Sequence, residues 1–90
     1  MRDWTLKGFE KAKAQNKKYI AIIVNKDGET KKINFGDNRY EQYKDNTGLG
    51  IYSNLDHNDI SRRRLYRLRH HKDIEEECFS SGYFALKYLW

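Results

Sequence analysis

Six successive residues, Tyr19-Ile20-Ala21-Ile22-Ile23-Val24, are apolar, β-branched or aromatic with no polar interruption. The run is too short for a typical helix and predicts a strand. It leads into Asn25-Lys26-Asp27-Gly28-Glu29, where Asp-Gly supplies the positive φ that a hairpin turn demands. Thr30 to Phe35 then alternates polar and apolar, which places Ile33 and Phe35 on one face. Together the segments predict a β-hairpin with one buried side. A lone hairpin is marginal in water, so a helix or a partner strand must lie against it.

The flanking patterns are less regular. Residues Met1 to Lys18 are lysine-rich, with apolar anchors at Trp4, Leu6, Phe9 and Ala12. Their spacing fits a helical stripe only loosely, and Asp3 is a candidate cap. The segment reads either as a short helix or as an arm that orders on a partner. Beyond Gly36, residues Asp37 to Asp56 are rich in Gly, Asn and Asp and carry Tyr40, Tyr43 and Tyr52. They predict a long ordered loop pinned by aromatic rings, and such loops are usually functional or belong to a larger assembly. Asp56 or Asn58 is then a good N-cap, and Asp59 adds favourable charge to a helix over Asp59 to His71. Its narrow apolar stripe comprises Ile60, Arg64, Leu65 and Leu68, flanked by Tyr66; Arg62, Arg63, Arg67, His70 and Lys72 point mostly elsewhere. A second helix runs from Ser80 to Trp90 and is apolar nearly all round, which predicts burial. The expected fold is α+β: an N-terminal arm or short helix over residues 1–18, then one small domain over 19–90. That domain holds the hairpin, the long loop and two helices packed on the hairpin.

Composition adds constraints. Ninety residues make one domain with a modest core. Hydrophobic residues are 38% of the chain, yet seven Tyr, four Phe and two Trp let a few large rings replace many aliphatics. Some rings are also candidate partner contacts, namely Trp4, Tyr83, Tyr88 and Trp90, because Tyr and Trp are enriched at interface hot spots. The net charge of +5 favours polyanions or an acidic protein face. The single cysteine, Cys78, forms no internal disulfide, which points to a reducing compartment. No apolar run reaches the ~18–20 residues of a membrane span, and the first residues contain no hydrophobic signal core. No membrane partner is expected, and the protein reads as cytosolic or packaged from the cytosol.

Candidate chemistry is sparse. His57, His70, His71 and Cys78 match no standard zinc spacing, and adjacent His70 and His71 point about 100° apart on a helix. No metal site is expected. His57 reads as a capping or packing group. No nucleophile elbow, phosphate loop or paired carboxylates are present, and Glu75, Glu76 and Glu77 would raise the Cys78 thiol pKa rather than activate it. The chain reads as a non-enzyme with no cofactor and no small-molecule substrate. Arg62, Arg63, Arg67 and Lys72, helped by Arg69 and Lys87, make the stronger constellation. Such a ridge suits phosphates, an acidic protein surface, or internal pairing with Asp56, Asp59, Asp73 and Glu75 to Glu77.

Three spaced blocks add a setting. They are Lys32-Ile33-Asn34-Phe35-Gly36 with Tyr40 and Tyr43; His57, Asp59, Arg62, Arg63, Tyr66, Arg69 and His70; and Gly82-Tyr83-Phe84-Ala85-Leu86-Lys87-Tyr88-Leu89-Trp90. From about Lys31 to Trp90 the chain resembles an uncharacterised family of small basic proteins of large double-stranded DNA viruses and tailed phages. Asp45 falls after Tyr43 rather than between the tyrosines, ring types are exchanged in the last block, and Asn46 to Asn54 look like an insertion. The resemblance implies a virion or infected-cell setting, with Phe35, Gly36, Tyr40, His57, Asp59, Tyr66, Arg69 and His70 as a structural motif. The function expected is a virion structural component (minor capsid, cement or head-completion) that binds viral capsid or other virion proteins. The alternative is a small nucleic-acid-binding protein using the Arg-rich helix without sequence readout.

Overall fold

The computed structural model describes residues 4–75 and 79–90. The fold is α+β. Three antiparallel strands, β1 (Trp4–Lys11), β2 (Lys17–Asn25) and β3 (Thr30–Asp37), lie in the order β1-β2-β3. Helices α1 (Ile60–Glu75) and α2 (Ser81–Tyr88) follow the long loop. The hairpin stands where the alternation placed it. Asn25 Oδ1 accepts from the Asp27 and Glu29 N–H groups, and Gly28 takes φ +85° in the turn.

The N-terminal segment corrects the sequence reading, since it is neither a helix nor an arm. It pairs along β2 from Trp4 opposite Asn25 to Lys11 opposite Tyr19, so no boundary falls at residue 18. An irregularity between Leu6 and Gly8 hides this strand from a period-two search. Leu6 pairs with Ile23 and Phe9 with Ala21, both core residues of β2. One extra residue between them carries two odd-spaced side chains to the same face. Asp3, the candidate cap, lies outside the described residues, as do Glu76, Glu77, Cys78 and the side chains of Asp73 and Glu75.

The core is aromatic. Tyr19, Ala21, Ile23, Phe35, Phe84 and Leu89 are buried together, with Trp4, Leu6, Phe9, Tyr83, Tyr88 and Trp90 packed around them. Phe9 contacts Phe35, Phe84 and Tyr88 at centroid separations of 5.7, 6.4 and 4.7 Å, all edge-on. Such edge-to-face pairs add about 0.5–1.5 kcal/mol each beyond the area they bury. Helix α2 opens on Ser80, whose side chain accepts from Tyr83 N–H, and lays Phe84 into this cluster against β3. Helix α1 packs chiefly on α2, which corrects the expectation that both helices rest on the hairpin.

The loop between β3 and α1 is ordered, as its residue types predict; ring contacts at Tyr43 and Tyr52 help to hold it, together with a network of polar groups. Lys18 is buried, and its ammonium donates to Tyr40 O at 2.8 Å and to Gln42 Oε1. Gln42 Nε2 donates to Tyr52 O and Asp56 Oδ1, and Asp56 Oδ1 also accepts from Asp45 N–H. The Tyr19 hydroxyl donates to Asp45 and accepts from Ile51 and Tyr52 N–H groups. Loop N–H groups of Tyr43, Lys44 and Asn46 satisfy the Leu89 and Tyr88 carbonyls that α2 leaves open at its end. Of the three loop tyrosines, Tyr52 packs on Tyr19 at 5.3 Å, while Tyr40 is 65% exposed. Gly36 sits at φ +76° where a Cβ would lie 2.9 Å from a Leu89 methyl, so this turn out of β3 accepts only glycine without rearrangement.

Candidate functional site

Helix α1 begins at Ile60 because Asp59 caps it. Asp59 Oδ1 accepts from the Ser61 and Arg62 N–H groups at 2.9 and 3.2 Å. His57 supports the cap, since its Nδ1 accepts from Asp59 N–H at 2.8 Å, which leaves the proton on Nε2. That buried Nε2 has no hydrogen-bond partner. Asn58, one of the two expected caps, instead takes φ +54° and donates its N–H to Tyr43 O. The other, Asp56, is committed to the loop network.

The side of α1 turned toward the domain is not its aliphatic side. Tyr66 stacks face to face on Trp90, with centroids 4.2 Å apart and planes 5° from parallel. His70 stacks on the other face of Tyr66 at 4.2 Å, where the helix departs from helical φ/ψ. Arg63 Nε donates to the Trp90 main-chain oxygen at 2.8 Å, and Arg67 donates to the same oxygen through Nε and Nη2 at 3.2 and 3.1 Å. The Arg63 guanidinium also lies 5.0 Å over the Tyr43 ring. Burial, and then the neighbouring Arg63 charge, lower the Arg67 pKa from its ordinary value. Residues 63, 66, 67 and 70 share one helical stripe, and it is a cation-and-ring stripe.

The aliphatic residues face outward. Ile60, Leu65 and Leu68 are 63%, 55% and 63% exposed. This corrects the predicted stripe: the sequence names the right set, but the fold leaves it uncovered. Ile60 and Leu68, with Arg63, Arg64 and Arg67, line a shallow depression of about 320 Å³. On the opposite flank, Leu65, Tyr66, Arg62 and Arg69 wall a groove of about 490 Å³ whose far side is Asp37, Tyr40 and Glu41. Arg62 pairs there with Glu41 at 3.1 Å, an exposed pair worth about 0.2–1 kcal/mol. Among the described residues, no carboxylate pairs with Arg63, Arg64, Arg67 or Arg69.

The predicted partner contacts therefore divide. Arg63 and Arg67 line the outward depression while holding Trp90. Arg62 lies across the helix on the groove side. Trp4, Tyr83, Tyr88 and Trp90 are half-buried around the core, with Lys31 4.7 Å over the Trp4 ring. Lys87 Nζ donates to the Tyr83 hydroxyl. The residues of the predicted structural motif lie in three places: His57, Asp59, Tyr66 and His70 cap or brace α1, Gly36, Tyr40 and Arg69 line the groove, and Phe35 is buried in the core against Phe84. Ile60, Leu65 and Leu68 were read as part of the helix's apolar stripe, and Lys18 and Gln42 carried no sequence signal for burial. Among the described residues, no three His, Cys, Asp or Glu side chains gather as metal ligands, and no helix is long and apolar enough to cross a membrane. No family model, curated protein or solved structure matches the chain.

Proposed function

We propose that the protein is a non-catalytic assembly component that docks on larger protein subunits through the outward face of α1. The carrying observation is the exposure of Ile60, Leu65 and Leu68 on a helix whose arginines alternate with them. Exposed aliphatics interleaved with Arg form the composition of an interface centre with a charged rim. The small core and the loop of side-chain-to-backbone bonds suit a part whose stability rises when a neighbour binds. The three sequence blocks supply the setting, a minor capsid, cement or head-completion protein of a virus or phage. Quantitative mass spectrometry of purified virions tests this reading. A stoichiometric signal is expected, and absence from particles overturns it.

A second reading rests on Arg64 and Arg69, which have no carboxylate partner among the described residues, and on the net charge of +5. These suit phosphate contacts without sequence readout. A salt titration of DNA binding separates the two readings. A steep salt slope reduced by Arg64→Glu plus Arg69→Glu supports nucleic acid, and weak binding with a flat slope removes it.

A further inference from the structure

We infer that the depression between Ile60 and Leu68 seats an acidic, amphipathic helix of a protein partner. The inference rests on reading α1 as a docking face and names the chemistry of what docks there; it does not depend on where in the cell or particle docking occurs. Ile60 and Leu68 are two helical turns apart, about 12 Å along the axis. Both are 63% exposed and line the depression. That span matches apolar residues presented at i, i+4 and i+7 by a partner helix lying in a groove.

The arginines determine the partner's charge. Arg63, Arg64 and Arg67 line the depression, and among the described residues no acidic one does. Arg63 uses only its Nε on the Trp90 oxygen, and Arg67 uses Nε and one terminal nitrogen. Each guanidinium carries five N–H donors, so both forks keep donors for a carboxylate. The two side chains are already held in place, so pairing costs less rotamer entropy than it would for two free surface arginines. A second copy of the same face would set arginine against arginine, which electrostatic complementarity disfavours. Nucleic acid would satisfy the arginines but leave the aliphatics unused, because bases stack on aromatic side chains and, among the described residues, none lines this depression. A membrane surface needs a wider apolar face than these few aliphatics provide.

The test uses the full chain and a fluorescein-labelled helical peptide of roughly 16 residues, with Leu at i, i+4 and i+7 and Glu at the flanking positions. A peptide with Gln in place of Glu, a dT oligonucleotide and phosphatidylserine vesicles are the comparison probes. The Glu peptide should bind at least about 10-fold more tightly than the Gln peptide. Leu68→Asp, or Ile60→Ser with Leu68→Ser, should weaken it by about 10-fold or more, and Arg64→Glu by a similar factor. These residues are exposed, and circular dichroism with thermal melts confirms that the variants fold. Equal affinity for the Glu and Gln peptides overturns the inference. So does Glu-peptide binding that survives the Leu68 and Ile60 changes. Binding to the oligonucleotide or vesicles that is tighter than to the peptide and lost in Leu68→Asp assigns the face to that partner and overturns it too. Absence of the protein from virions would leave a positive peptide result intact, so the two proposals fail separately.

Discussion

The two helices use the same residue types in opposite ways. Helix α2 buries Phe84 and Leu86 and shows Lys87 to solvent, as an amphipathic helix on a sheet should. Helix α1 holds Arg63, Tyr66, Arg67 and His70 against the domain and shows Ile60, Leu65 and Leu68 to solvent. The difference lies in what each helix meets. The sheet offers α2 an apolar floor of Phe9, Phe35 and Tyr19. The end of α2 offers α1 a flat indole and a main-chain oxygen, and planar cations and rings fit those better than branched aliphatics. A helix can thus be anchored by its cations and rings and left with aliphatics exposed among its remaining arginines.

That contrast is broken most sharply from the α2 side. Phe84→Ala removes a ring packed among Phe9, Phe35, Phe79 and Tyr88, and it should cost about 3–5 kcal/mol in a denaturant melt. A small domain has only about 5–15 kcal/mol to lose, so much of the population should unfold at moderate temperature. The next effect concerns the loop. Lys18→Ala strands the Gln42 Oε1 and Tyr40 O acceptors inside the protein and should cost about 1–3 kcal/mol. Hydrogen exchange should then rise first at Gln42 and His57, whose N–H groups bond within the loop.

Acid should produce a smaller loss at the same place. Burial pushes the Asp45 carboxyl up, but hydrogen bonds from Thr47 and Tyr19, with backbone N–H groups, outweigh it and hold the pKa below its ordinary 3.8. A carboxyl depressed by folding contributes stability that is present above its unfolded pKa and lost as pH falls through the folded one. Melts should therefore weaken below about pH 4, and Asp45→Asn should flatten that part of the acid limb. Asp37, held to about 2 by its hydrogen bonds from Arg39, makes a surface pair and should add little. The smallest effect comes from α1. Leu68→Ser with Ile60→Ser should change the melting midpoint by less than about 0.5 kcal/mol in free-energy terms. A loss as large as that at Phe84 would mean that these residues are core after all, and the contrast between the helices would collapse.

Much of the secondary structure was legible in the residues. The hairpin, its Asp-Gly turn and both helices follow from alternation, turn chemistry and apolar density, all local properties. Strand β1 was not legible, because one irregular position at Lys7–Gly8 destroys the period that identifies a strand. The polar loop network was illegible for another reason. Nothing near Lys18 announces burial, and its partners Tyr40 and Gln42 lie more than twenty residues away.

The arginine-rich helix shows the same division within one element. The sequence by itself determined that a helix would form over these residues, that Asp59 would favour its first turn, and that aliphatics and arginines would alternate around it. Only the tertiary structure decided which side faces inward. Periodicity ranks the stripes of a helix by hydrophobicity, but burial depends on what surface is left to cover. Here that surface was the Trp90 ring and its main-chain oxygen, and Tyr66 with Arg63 and Arg67 fitted it while Ile60, Leu65 and Leu68 were turned out to solvent.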